Sequence, residues 1–165
     1  MAAKTGTYSL INSTTLGSDQ SSVTFSSIPA TFTDLVLVVA GVTTSGTEAA
    51  AVRFNGDTGS NYSRTVLYGT GSSALSLRNS NITDSGLGVL DSASQGNNIY
   101  HFMDYSNSTT YKTFLARGNV ASEQTRASVG LWRSTSAITS ITVLVGTSFA
   151  SGCTFKLYGI EAGNL

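Results

Sequence analysis

The sequence is short of charge. Nine Lys and Arg stand against nine Asp and Glu in 165 residues, so the net charge is zero and charged side chains make up 11% of the chain. A typical soluble domain carries about 25%. No basic cluster supplies the field that draws in nucleic acid or anionic lipid, so neither is expected as a partner. Cysteine is scarcer still. Cys153 stands alone, which excludes an internal disulfide and predicts a small buried hydrophobe in a strand over Cys153–Tyr158. Proline occurs once, at Pro29, and tryptophan once, at Trp132. No apolar run approaches the ~20 residues of a helical membrane span. The opening Met1-Ala-Ala-Lys-Thr-Gly6 lacks the apolar stretch of a secretory leader, and synthesis and retention in a cytoplasm is the expectation.

Histidine is also single. His101 has no second His or Cys with which to build a zinc site. Asp104 follows it by three residues, and in an alternating strand that spacing sends the two side chains to opposite faces, so they form no local dyad. No Gly-x-Ser-x-Gly elbow singles out a nucleophile among the many serines. The acidic residues are scattered singly, without the carboxylate pair of a glycosidase. Neither an enzyme activity nor a cofactor is expected.

What the chain has in quantity is hydroxyls, β-branched residues and a period of two. Hydrophobic residues make up 40%, enough for a core. Val23 and Phe25 alternate with polar neighbours in Ser22–Ile28 until Pro29 stops the strand. Asp34-Leu-Val-Leu-Val-Val-Ala40 is a continuous apolar run, predicted as a central strand covered on both faces. Further strands are predicted at Ala51–Phe54, Tyr62–Tyr68, Ala74–Leu77, Gly86–Leu90, Asn98–Tyr105, Tyr111–Arg117, Ala127–Trp132, Ile138–Val145 and Cys153–Ile160. No helical stripe appears. The pattern predicts an all-β fold, a single jelly-roll-like antiparallel β-sandwich of about eight strands. Residues 21–165 form the sandwich. Residues 1–20 are more polar and form either an arm that reaches a neighbour or an edge strand around Tyr8–Ile11.

Three clusters bear on binding. Asn55-Gly-Asp-Thr-Gly-Ser-Asn61 places the oxygens of Asn55, Asp57 and Asn61 at alternate positions, as a calcium loop would, but it lacks a closing bidentate Glu. The competing reading is a glycine-rich turn. Trp132 and Arg133, with scattered tyrosines, are the candidates for a sugar-stacking platform, against core use of the same rings. Lys4, Thr5, Thr7 and Tyr8 are the candidates for partner binding through a short uncharged segment. Gly69-Thr-Gly71 and Gly86-Leu-Gly88 lack a helix N-terminus to cradle phosphate and are predicted as turns.

Tyr8-Ser-Leu-Ile11, Ser22-Val-Thr-Phe-Ser-Ser-Ile-Pro29, Thr33-Asp-Leu-Val-Leu-Val38, Phe54-Asn-Gly-Asp57 and Phe155-Lys-Leu-Tyr-Gly-Ile160 follow one another along most of the chain. In this order they resemble small jelly-roll structural proteins of tailed bacteriophages. The resemblance implies a virion location, made in the host cytoplasm. It points to a capsid decoration (cement) protein that oligomerises, with a trimer preferred, and stabilises the shell by binding the major capsid protein. The alternative it leaves open is a lectin-like carbohydrate-binding module of a tail or head fibre. It carries over no catalytic residues.

Overall fold

The computed structural model describes residues 7–161. Twelve strands build it: β1 (Tyr8–Thr15), β2 (Gln20–Phe25), β3 (Asp34–Gly41), β4 (Glu48–Phe54), β5 (Tyr62–Gly69), β6 (Ala74–Ile82), β7 (Ser85–Leu90), β8 (Gly96–Phe102), β9 (Lys112–Val120), β10 (Gln124–Trp132), β11 (Ile141–Phe149) and β12 (Thr154–Ile160). They form an eight-stranded sheet in the order β1-β12-β3-β8-β9-β10-β5-β6 and a four-stranded sheet in the order β2-β11-β4-β7. All strand pairs are antiparallel. The fold is a jelly-roll-like β-sandwich, with twelve strands where about eight were expected. The stretch set apart as polar, residues 1–20, contributes β1, an edge strand of the large sheet.

The core follows from the period of two. In β3 the odd positions Leu35, Leu37 and Val39 are fully buried against the small sheet. β9 does the same with Phe114, Ala116 and Val120, and β12 with Phe155 and Leu157. At the centre Phe54 meets Phe102, Phe114 and Trp132 at ring-centroid distances of 5.5, 5.1 and 5.4 Å. Edge-on geometry between such rings adds to the area they bury.

The expectation for β3 is corrected on one point. Its even residues, Val36 and Val38, do not lie under a second layer. They face outward, where Val36 is sheltered by its neighbours and Val38 is half-buried. The apolar run of Asp34–Ala40 therefore reports an apolar outer face rather than burial on both sides.

Gly86-Leu-Gly88 is also corrected: it lies inside β7 and is no turn. A Cβ at Gly88 would stand 2.2 Å from Tyr100 Oη, so only glycine lets this strand settle onto the large sheet. At that close approach, side chains of the large sheet bond to the main chain of β7. Arg64 Nη1, Ser128 Oγ and Arg126 Nη1 donate to the carbonyls of Gly86, Leu87 and Gly88 at 2.8, 3.1 and 3.2 Å. The fully buried Asn98 side chain donates to Val89 O and accepts from Val89 N, both at 2.8 Å, as a neighbouring strand would. Gly69-Thr-Gly71 does lie in the β5–β6 connection, with Thr70 N donating to Ser73 O.

Candidate functional site

The loop candidates come together, though not as a metal or sugar site. The Asp57 carboxylate accepts from Trp132 Nε1 at 2.7 Å, Asn61 Nδ2 at 2.9 Å and Gly59 N at 2.8 Å. Burial pushes its pKa upward, but the donors Trp132, Asn61 and Gly59 outweigh that and hold the carboxyl below its ordinary value. Asn55 Oδ1 accepts from Thr139 N and Ser140 N at 2.8 and 3.1 Å, and its Nδ2 donates to Ala137 O. The side-chain oxygens of Asn55 and Asp57 are thus spent on a lock that ties the β4–β5 loop to the end of β10 and the segment after it. Among the described residues no three His, Cys, Asp or Glu side chains gather to hold a metal ion.

Trp132 is held in the core by the same lock, as the core reading of its ring expects, and only its candidacy for a sugar platform is corrected. It is 2% exposed and stacks on Tyr62 within the core, so it offers no face to a sugar. Arg133 Nη2 donates to Ser60 O and Asn81 Oδ1 at 2.6 and 2.8 Å, which ties it to the neighbouring loops. Removing the acceptor should cost stability. Asp57→Ala leaves the Trp132 N–H unpaired, and a loss of about 2–3 kcal/mol in urea unfolding is expected. Because the folded pKa is depressed, the stabilisation by Asp57 is present above its ordinary value of 3.8 and fades as pH falls through the folded value. The variant should lack that part of the acid limb. An unchanged unfolding midpoint at neutral pH would contradict the lock.

His101 pairs with Asp34 across strands, Nε2 to Oδ2 at 2.9 Å, while Asp34 Oδ1 accepts from Asp104 N at 2.8 Å. Asp104 has left β8 for a turn with φ of 48°. Opposite faces of one strand therefore no longer describe the pair, although the two still do not meet as a dyad. Cys153 is buried as expected, just ahead of β12, with Sγ donating to Val42 O at 3.1 Å.

The feature that sequence reading passed over is the outer face of the large sheet. One row across it reads Tyr158, Val36, His101, Leu115, Val129, Thr65; the next reads Lys156, Val38, Ile99, Arg117, Ala127, Leu67. Tyr8 and Leu10 extend it at the β1 edge, where the Tyr8 ring meets Tyr158 edge-on at 6.3 Å. Tyr8, Leu10 and Leu67 are 58, 57 and 57% exposed, and Leu115 and Val129 are 42 and 46% exposed. A groove of about 410 Å³ runs between them, lined by Val36, Leu67, Ile99, Leu115 and Val129 among others. Single exposed apolar side chains are ordinary, but a contiguous set marks an interaction surface. Lys156, Arg117 and Arg78 bring positive charge to this face. The carboxylate of Asp34 is occupied by His101.

Of the residues expected to bind a partner, Tyr8 lies on this face. Thr7 is exposed beside it and its carbonyl accepts from Glu161 N at 3.0 Å, so the chain already belongs to its own sheet there. Lys4 and Thr5 lie outside the described residues.

No family model matches the sequence, and no curated protein is similar to it. Among solved structures the chain is similar to a galectin, LEC-6, of Caenorhabditis elegans, with 8% identity, 98% of this chain and 100% of that one covered, and a TM-score of 0.37. It is similar to a PL-14 alginate lyase from Aplysia kurodai at 10% identity and TM-score 0.35, over 82% of this chain and 72% of that chain. It is also similar to an exo-inulinase from Aspergillus awamori at 8% identity and TM-score 0.41, covering 93% of this chain but only 29% of the enzyme. These likenesses concern the sandwich architecture, and no residue role is carried over from them.

Proposed function

We propose that this protein is a structural subunit of a virion, a capsid decoration protein of a tailed bacteriophage, that attaches to the assembled shell through the outer face of its eight-stranded sheet. The observation that carries the reading is the contiguous aliphatic surface of Leu67, Ile99, Leu115 and Val129, left open on a chain with little surface charge. Pyranose binding asks for exposed aromatic faces amid hydrogen-bonding groups. The centre of this surface is aliphatic, and the one tryptophan is buried. Aliphatic ground suits the surface of another protein. The face carries the cations Arg117 and Lys156, so the complement is a shell surface with carboxylates opposite them. A ligand that binds the assembled shell better than free capsid subunits stabilises the shell by mass action, and many copies multiply the effect.

The direct test is co-sedimentation with purified undecorated capsids. Full-length protein is expected to pellet with them. Deleting residues 1–6 should leave the domain folded, because β1 begins at Tyr8, and should weaken attachment, because the chain enters the sheet at the rim of the proposed face. Failure of the full-length protein to pellet, together with its retention on immobilised host polysaccharide, would support the fibre-lectin reading instead.

A further inference from the structure

We infer that the protein self-associates edge to edge through β6, two copies pairing antiparallel about Leu77 into one continuous sheet. This goes beyond attachment to a shell: it concerns a different surface and needs no shell to be present.

A strand at the edge of a sheet offers a row of unpaired main-chain donors and acceptors, and proteins commonly blunt such edges. At β7, side chains of the large sheet, Arg64, Ser128, Arg126 and Asn98, take up main-chain groups from Gly86 to Val89. On β6, among the described residues, no side-chain bond covers the main chain of Ala74–Ser80; its guards are one charge, Arg78, and a bulge confined to the end beyond Ser80. The strand is nine residues long, exposed or half-buried throughout, and bonded only to β5. The large sheet reaches past the small one here, since β7 packs on β8, β9, β10 and β5. β6 is left as a ledge on whose inner side Leu75 and Leu77 stay 45 and 38% exposed.

Charge decides the occupant. The outer face carries two cations, Arg117 and Lys156, whereas β6 has a single charge, Arg78, whose Nη1 donates to Thr65 Oγ1 at 3.4 Å. An antiparallel strand edge is complementary to itself, and a twofold axis closes the assembly at two copies. The regular stretch sets the register. Residues Ala74–Ser80 pair without interruption with Gly69–Ser63 of β5, and the register shifts only beyond Ser80. That stretch is centred on Leu77. Pairing about its centre sets Leu77 against Leu77 of the second copy on the inner ledge and Arg78 against Ser76, so no like charges meet. The opposite edge, β1, is broken by a bulge between Leu10 and Asn12 and makes the poorer template. A closed pair is a different assembly from the trimer that the resemblance implies. It also leaves both outer faces free.

The test uses the isolated full-length protein without capsids, so its result is independent of the attachment assay. Sedimentation velocity should show a dimer. Leu77→Cys should form a disulfide-linked dimer under mild oxidation, because directly opposed residues of antiparallel strands lie at disulfide distance. It should do so at least about tenfold faster than a control cysteine at exposed Ala121 in the β9–β10 turn. The native Cys153 is buried and does not compete. Leu77→Lys places a charge on the ledge and should yield a monomer with an unchanged circular dichroism spectrum. Wild-type protein that stays monomeric at every concentration, or equal cross-linking of the two cysteine variants, would overturn the inference.

Discussion

Phe54→Ala is expected to destabilise the fold by about 3–5 kcal/mol, among the largest single-residue losses in the molecule. Phe54 is fully buried at the end of β4. Its ring is shared between the two sheets: it comes from the small one and packs on Phe102, Phe114, Trp132 and Tyr62 of the large one. The void left by alanine lies among stiff aromatic rings on four different strands, which cannot collapse together to fill it. Its backbone is also anchored, since Phe54 N donates to Tyr62 Oη at 3.0 Å. Burial pushes the Tyr62 hydroxyl up to about 12, which keeps it protonated at any ordinary pH. Urea unfolding followed by Trp132 fluorescence reads the loss. A change below about 1 kcal/mol would mean that the two sheets do not meet where Phe54 places them.

Much of this architecture is legible in the sequence because a strand with one buried face writes its burial in alternate letters. Val23 and Phe25, or Phe114 and Ala116, declare an inner face without any knowledge of the partner strand. The ends of strands are less legible, because long-range hydrogen bonds set them. β11 begins at Ile141, later than the apolar Ile138 suggests, since Asn55 binds the amides of Thr139 and Ser140 from a loop more than eighty residues away. The lock of Asp57 on Trp132 was hidden for the same reason. The two stand 75 positions apart, so the sequence offers a turn or a calcium loop at Asp57 and a core ring or a sugar platform at Trp132, with nothing to join them.

The outer face is legible only in part, and on β3 its apolar residues look like burial on both sides. Val36-Leu-Val38, Val66-Leu67, Phe114-Leu115-Ala116 and Val129 beside the inward Gly130 all break strict alternation. In a doubly covered strand such breaks signal burial on both sides. In an antiparallel sandwich with nothing on its outside they mark an exposed apolar face, the one proposed here for docking. The four breaks fall on β3, β5, β9 and β10, and only the strand order brings them side by side. β6 shows the opposite limit. Its sequence, with Leu75 and Leu77 among serines and asparagines, alternates as an ordinary half-buried strand would. Its place at the overhanging edge is a property of topology alone.

The second large effect concerns attachment. Leu115→Asp places a carboxylate at the centre of the outer face, between His101 and Val129 of the adjacent strands. Its side chain points away from the core and is 42% exposed, so the fold should tolerate the change to within about 0.5 kcal/mol. A docking partner would have to bury the new charge in an apolar contact, and losing a central anchor of an interface costs about 2 kcal/mol or more, a factor of roughly 30 in affinity. The measurement that bears most directly on the function proposed here is the affinity of Leu115→Asp for undecorated capsids, taken by co-sedimentation beside the wild-type protein, with melting temperatures recorded for both. The expected result is attachment weakened by about 30-fold at an unchanged melting temperature. Attachment equal to wild type would contradict it and remove the outer face of the large sheet from the mechanism.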